Sequence, residues 1–155
     1  MDGGTNLAFL TPRLEYSIMN NSWAEEWRAL LLVGGGGALG SMARHLCGFA
    51  ARCAGLPAEH SHFSTLAINV FGSLLAGWLL RQFGPVNSTA FLLWGLGFCG
   101  GFTTFSSYSR EIVMLLRDDR WLEALLYGVL SVGLGVGGFV TGWALGSFNR
   151  GTIPS

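Results

Sequence analysis

The chain has 155 residues, 50% of them in the apolar set and only 12% charged, with nine Arg, no Lys and nine Asp plus Glu for a formal net charge of zero. Its mean hydropathy is +0.45, which excludes a disordered or fibrous chain and argues against a small soluble domain, where roughly a quarter of residues carry charge. Nucleic-acid binding is excluded as well, because the Arg residues are scattered singly and the balanced charge offers no basic surface to displace counterions from phosphates. The composition predicts an all-α integral membrane protein embedded in lipid.

Residues 1–27 read as an N-terminal extension outside the membrane, mixing Asp2, Arg13, Glu15, Asn20 and Asn21 with short apolar stretches and lacking a cleavable signal pattern. Residues 28–150 read as one transmembrane domain. Within it, residues 28–51, 63–83, 88–116 and 121–148 are each apolar over the length of about 20 helical residues that a hydrocarbon core requires. Polar breaks separate them at 52–62, at 84–87 with a Gly-Pro turn, and at 117–120. Trp23, Trp27, Trp121 and Trp143 lie near predicted ends, where an indole N–H reaches the headgroup layer.

With four crossings, Arg13, Arg28, Arg81 and Arg150 fall on one side and Arg52, Arg117 and Arg120 on the other. Since excess Arg and Lys in short loops sets insertion direction, this near tie predicts insertion both ways and pairing of two oppositely oriented copies. Glycine makes up 24 residues, and the spacings Gly36/Gly40, Gly97/Gly101, Gly133/Gly137, Gly138/Gly142 and Gly142/Gly146 predict close helix contact. The GxGxxG match at 133–138 has no preceding strand, and the run at 35–41 lacks the P-loop Lys, so neither is a nucleotide site. Asn20-Asn21-Ser22 and Asn87-Ser88-Thr89 match glycosylation patterns that recur by chance. Cys47, Cys53 and Cys99 read as inert thiols, and His60 and His62 beside Cys53 lack zinc-site spacing.

Polar residues inside the spans are more informative, because each costs free energy in hydrocarbon unless it faces protein or water. Asn69 is such a residue, suited to an interhelical hydrogen bond or to a substrate contact. In the third segment, adjacent glycines at 100–101, Thr103-Thr104 and the hydroxyls of Ser106, Ser107 and Ser109 predict a break in the helix around residues 100–104. Irregular backbone at that depth is tolerated where protein buries it or a cavity hydrates it. Beyond the break, Phe105 and Tyr108 share a face, as do Ser106 and Ser109. Ring edges carry partial positive charge, so a track of aromatics and hydroxyls accepts an anion without trapping it.

Three motifs carry a resemblance: Gly36-Ala-Leu-Gly-Ser-Met-Ala-Arg44, Thr65-Leu-Ala-Ile-Asn69-Val-Phe-Gly72-Ser73, and the run from Gly97 through Gly100-Gly101, Thr103-Thr104-Phe105-Ser106 to Glu111. Through them the chain resembles the Fluc (CrcB) fluoride channels over residues 28–148. The resemblance implies four transmembrane helices with a broken third helix, an antiparallel dual-topology homodimer in the inner (cytoplasmic) membrane, and passive, selective fluoride export without catalysis. It implies that Asn69 donates to fluoride, that Phe105 presents its ring edge, and that Ser106 and Ser107 line the pore. Tyr127 and Ser131 match a further part of that track, and Tyr108 stands where the family usually has Phe. It also implies Arg44 at the aqueous entrance, and Na⁺ held at the dimer centre by the backbone carbonyls of Gly100 and Thr103. The rival reading is a dual-topology, proton-coupled multidrug exporter. Such exporters need an acid in the first helix, where this chain has Arg44, and Glu111 is expected to pair with Arg110 in water. A third reading is a scaffold subunit without a pathway.

Overall fold

The computed structural model describes residues 11–57, 60–84 and 88–148, with side chains described between Ser22 and Gly146 of those stretches. Pro85, Val86 and Asn87 of the predicted turn, Arg150, and the side chains of Arg13, Asn20 and Asn21 lie outside the described residues. The regular structure of the described residues is all helical, with no strand among them. Helix α1 spans Thr11–Cys53 without interruption, so it passes straight through the predicted boundary at residue 28. Helix α2 spans Ser61–Phe83. Helix α3 winds as a π-helix over Phe91–Cys99 and closes with an α-helical turn over Gly100–Phe102. Helices α4, Phe105–Arg117, and α5, Trp121–Phe148, complete the chain.

Two of these helices, over Ser61–Phe83 and Trp121–Gly146, are long and apolar enough to cross a membrane. The third span falls short because it is split between α3 and α4, and in α1 the apolar stretch is diluted by six glycines and by Arg44 and His45. Outside the bundle, Leu31 is 76% and Leu122 70% exposed, and further large apolar residues are exposed along α1 and α5. A water-soluble chain of this size rarely presents so much apolar area, whereas lipid tails cover it.

The helix ends explain the short turns. Gly55, at φ 88°, follows α1 and lets the N–H of Leu56 reach the Ala51 carbonyl at 3.0 Å while its own N–H reaches Arg52. Asp119, at φ 57°, does the same after α4, where the N–H of Arg120 donates to Leu115 at 2.9 Å. Both turns satisfy carbonyls that a helix end leaves without partners.

Two glycine seams hold the bundle. Gly36 and Gly40 of α1 lie against Gly97 and Gly101 of α3, so close that a Cβ on Gly40 would fall on the Phe98 carbonyl and one on Gly101 would fall on Gly37. Along α2 and α5, a Cβ on Gly77 would meet Phe139 backbone and one on Gly142 would meet Leu74 backbone. These are the close backbone approaches that small residues four apart permit. The predicted Gly133/Gly137 pair makes no such contact, since an added Cβ at either position meets nothing within 4 Å of its own chain. Small apolar clusters fill the rest: Leu79, Phe91 and Cys99 between α2 and α3, and Leu115, Ala124 and Tyr127 between α4 and α5.

Candidate functional site

Between α3 and α4 the backbone opens over two residues, Thr103 at φ −76°, ψ 160° and Thr104 at φ −151°, ψ 114°. Gly100 and Gly101, expected within the break, remain helical. Gly101 is needed for the seam against Gly37, where helical geometry brings the two backbones together. Opposite the extended pair stands α2. Gly72 makes room for it, since a Cβ there would sit 2.5 Å from Thr103 Cγ2.

Asn69, one turn earlier on α2, secures the opening. Its Oδ1 accepts from the Thr104 N–H at 2.8 Å, and its Nδ2 donates to the Thr104 carbonyl at 3.2 Å. One side-chain amide thus satisfies both polar groups of a residue that has left the helix, in a region where an orphaned backbone group costs several kcal/mol, on the order of 2–7. One Nδ2 hydrogen remains to be donated elsewhere.

Thr104 then caps α4. Its Oγ1 accepts from the Ser107 N–H at 3.2 Å and contacts the hydroxyls of Ser106 and Ser107, each at 3.2 Å. Three hydroxyls share two oxygen–oxygen contacts, which use two of their three hydrogens; one is left to donate outward. The positive end of the α4 dipole lies at the same spot. Two carbonyls lose their usual helical partners here: the Thr104 N–H that would serve Gly100 is held by Asn69, and the Ser107 N–H that would serve Thr103 is held by Thr104.

The rings follow in a ladder. Phe105, 78% exposed, lies on the outside of the bundle with its centroid 5.4 Å from Tyr108. Tyr108 in turn lies 5.4 Å from Tyr127, and its hydroxyl turns inward to donate to the Gly128 carbonyl at 3.3 Å. Tyr127 is buried on α5 and donates to Glu111 Oε2 at 2.7 Å, with Ser131 half-buried one turn further along.

Glu111 differs from expectation. It is buried rather than hydrated, and Oε1 accepts from Ser61 at 3.2 Å and Thr65 at 2.9 Å while Oε2 accepts from Tyr127. Arg110 forms no ion pair with it among the described residues. Adjacent helical residues point about 100° apart, so neighbouring charges in sequence do not face each other.

A polar cleft of about 400 Å³ reaches this cluster from the end of the bundle where α1 finishes and α2 begins. Arg44, Arg52 and Arg110 line it together with Ser64, and it ends against Thr104, Ser107 and Glu111. The Nε of Arg44 is buried there without a hydrogen-bond partner. From sequence Arg52 was read only as a loop charge and Arg110 only as a partner of Glu111, while Ser61 and the capping role of Thr104 were not singled out. The cleft suits a small anion: three guanidinium groups draw it in, and hydroxyl and amide hydrogens receive it.

Residues 31–143 match the CrcB-like protein, Camphor Resistance (CrcB) family. The chain is 40% identical to the fluoride-specific ion channel FluC of Phenylobacterium zucineum over 76% of its length and 94% of that protein. It is 41% identical to the FluC of Chlorobium phaeobacteroides, covering 75% of this chain and 88% of the relative, and 40% identical to that of Gloeobacter violaceus, covering 76% and 92%.

Proposed function

The chain belongs to the CrcB family, and from that premise we propose that it is a fluoride-specific ion channel, a membrane protein that conducts and does not catalyse. The observation that supports the reading is the opening at Thr103–Thr104, which meets an arginine-lined cleft on one side and an exposed phenylalanine on the other. Fluoride is small and tightly hydrated, so a path for it must replace water with closely spaced donors. Asn69 supplies an amide hydrogen, Ser106 and Ser107 supply hydroxyls, and Phe105 and Tyr108 supply ring edges. Arg44 stands at the aqueous mouth, and Tyr127 and Ser131 extend the track along α5.

A lone protomer leaves this track open along its flank. Phe105 and Gly100 face outward, so a second copy is needed to enclose the path. The near tie in Arg placement favours an antiparallel partner, in the inner membrane, with fluoride leaving the cell down its gradient. The Gly100 and Thr103 carbonyls, deprived of their helical donors, fit Na⁺ at the junction of the two copies, where the ion would fix the subunits together. A proton-coupled exporter needs an acid that releases its partners in each cycle; Glu111, anchored by three hydroxyls, suits that role poorly.

Fluoride efflux from proteoliposomes holding only this protein tests the reading. A fast passive leak that excludes chloride and is abolished by Phe105→Ile is expected. A flux that requires a proton gradient, or none at all, would overturn it.

A further inference from the structure

His62 has no place in the fluoride track, yet it is 2% exposed in the first turn of α2. Its Nε2 lies 3.0 Å from Glu123 Oε1 in the first turn of α5, off hydrogen-bonding geometry and buried without another partner. Glu123 is partly exposed and is gripped by Arg120 through two bonds of 2.7 Å. On its other side the His62 ring meets Tyr127 edge-on at 5.3 Å, and Tyr127 carries the hydrogen bond to Glu111. The imidazole is therefore wedged between a solvent-facing ion pair and the buried end of the ring ladder. The charged and titratable groups around it are His60 ahead of α2, Arg110 and Glu111 on α4, Asp118 and Arg120 in the turn, and Glu123 and Tyr127 on α5. A second cavity of about 200 Å³ runs beside it and shares Ser61, Arg110 and Glu111 with the arginine-lined cleft.

We propose that His62 is a positioning residue that makes fluoride conduction pH-dependent: its protonation tightens the α2–α5 clamp through Glu123 and places a positive charge beside the Tyr127–Glu111 pair. The inference rests on the fluoride-channel reading. Histidine side chains titrate between about pH 5 and 8, the range in which such a switch operates. The charged form binds Glu123 through a charge-assisted bond and raises the local potential felt by an anion at the inner end of the cleft. Conduction therefore rises as pH falls. Arg120 holds Glu123 aimed at the imidazole through its two bonds of 2.7 Å.

Fluoride efflux is measured from proteoliposomes at steps from pH 8 to pH 6, with protein-free vesicles subtracted to remove leakage of the neutral acid. The wild-type flux is expected to rise about threefold over that span, on the scale of local electrostatic effects on anion supply. His62→Gln keeps a donor toward Glu123 but cannot titrate, so its flux is expected to stay level near the wild-type value at pH 8. Glu123→Gln leaves the imidazole without its anionic partner and moves the rise to lower pH, which reports on the same contact if His62→Gln does not insert. A wild-type flux that is level with pH, or the same rise in both variants, overturns the role of His62. Absence of fluoride flux at every pH overturns the channel reading instead.

Discussion

The glycine seams and the threonine opening solve opposite problems in the same bundle. Along α1–α3 and α2–α5, the chain removes side chains so that backbones touch, and the helices stay regular because every peptide group is already bonded within its own helix. At Thr103–Thr104 it gives up that internal bonding and restores it with side chains from a neighbour, Asn69, and from the cap itself. The seams tolerate no added atom and carry no chemistry. The opening tolerates polar atoms at mid-bundle and leaves donors over, so the contrast separates what holds the protein together from what handles the ion.

Substitutions sharpen that contrast, the largest effect being at a seam. Gly40→Val drives a branched side chain into the backbone at Phe98 and Phe102, and is expected to cost several kcal/mol, eliminating monodisperse protein on size-exclusion chromatography in detergent. At the opening, Asn69→Ala strips both Thr104 backbone groups of their partners; a loss of about 2–4 kcal/mol in thermal unfolding and a collapse of fluoride flux are expected. Glu111→Gln keeps one acceptor oxygen but turns an N–H₂ toward a hydroxyl, so a loss of about 1–2 kcal/mol and a reduced flux are expected. Tyr108→Phe removes only the 3.3 Å bond to Gly128 and keeps the ring, so a change within about 1 kcal/mol and an intact flux are expected. A Tyr108→Phe protein that folds but no longer conducts would show that the hydroxyl, and not the ring, handles the ion.

How far the sequence reached follows the same division. Spacing alone located the seams at Gly36/Gly40 and Gly97/Gly101, because four-residue periodicity is a local property of one helix. It could not tell that Gly133/Gly137 faces outward, since that depends on how α5 rotates against α2. Asn69 was legible as an anomaly, a polar amide in an apolar span, but its service to Thr104 was not, because the partner lies 35 residues away on another helix. Glu111 was misread for a related reason. Its neighbour in sequence suggested an ion pair, whereas Ser61, Thr65 and Tyr127 reach it from α2 and α5. The π-helical winding of Phe91–Cys99 left no compositional mark.

The double grip of Asn69 on one residue has a consequence for regulation. To straighten the third span into a single rod, the Thr104 N–H would have to return to the Gly100 carbonyl, leaving both ends of the Asn69 carboxamide without their backbone partners. Such a bend is set once, when the chain folds, and offers no second resting shape for a stimulus to select. Any change of throughput with conditions then acts through charge along a fixed path and leaves the shape of the third span as it is.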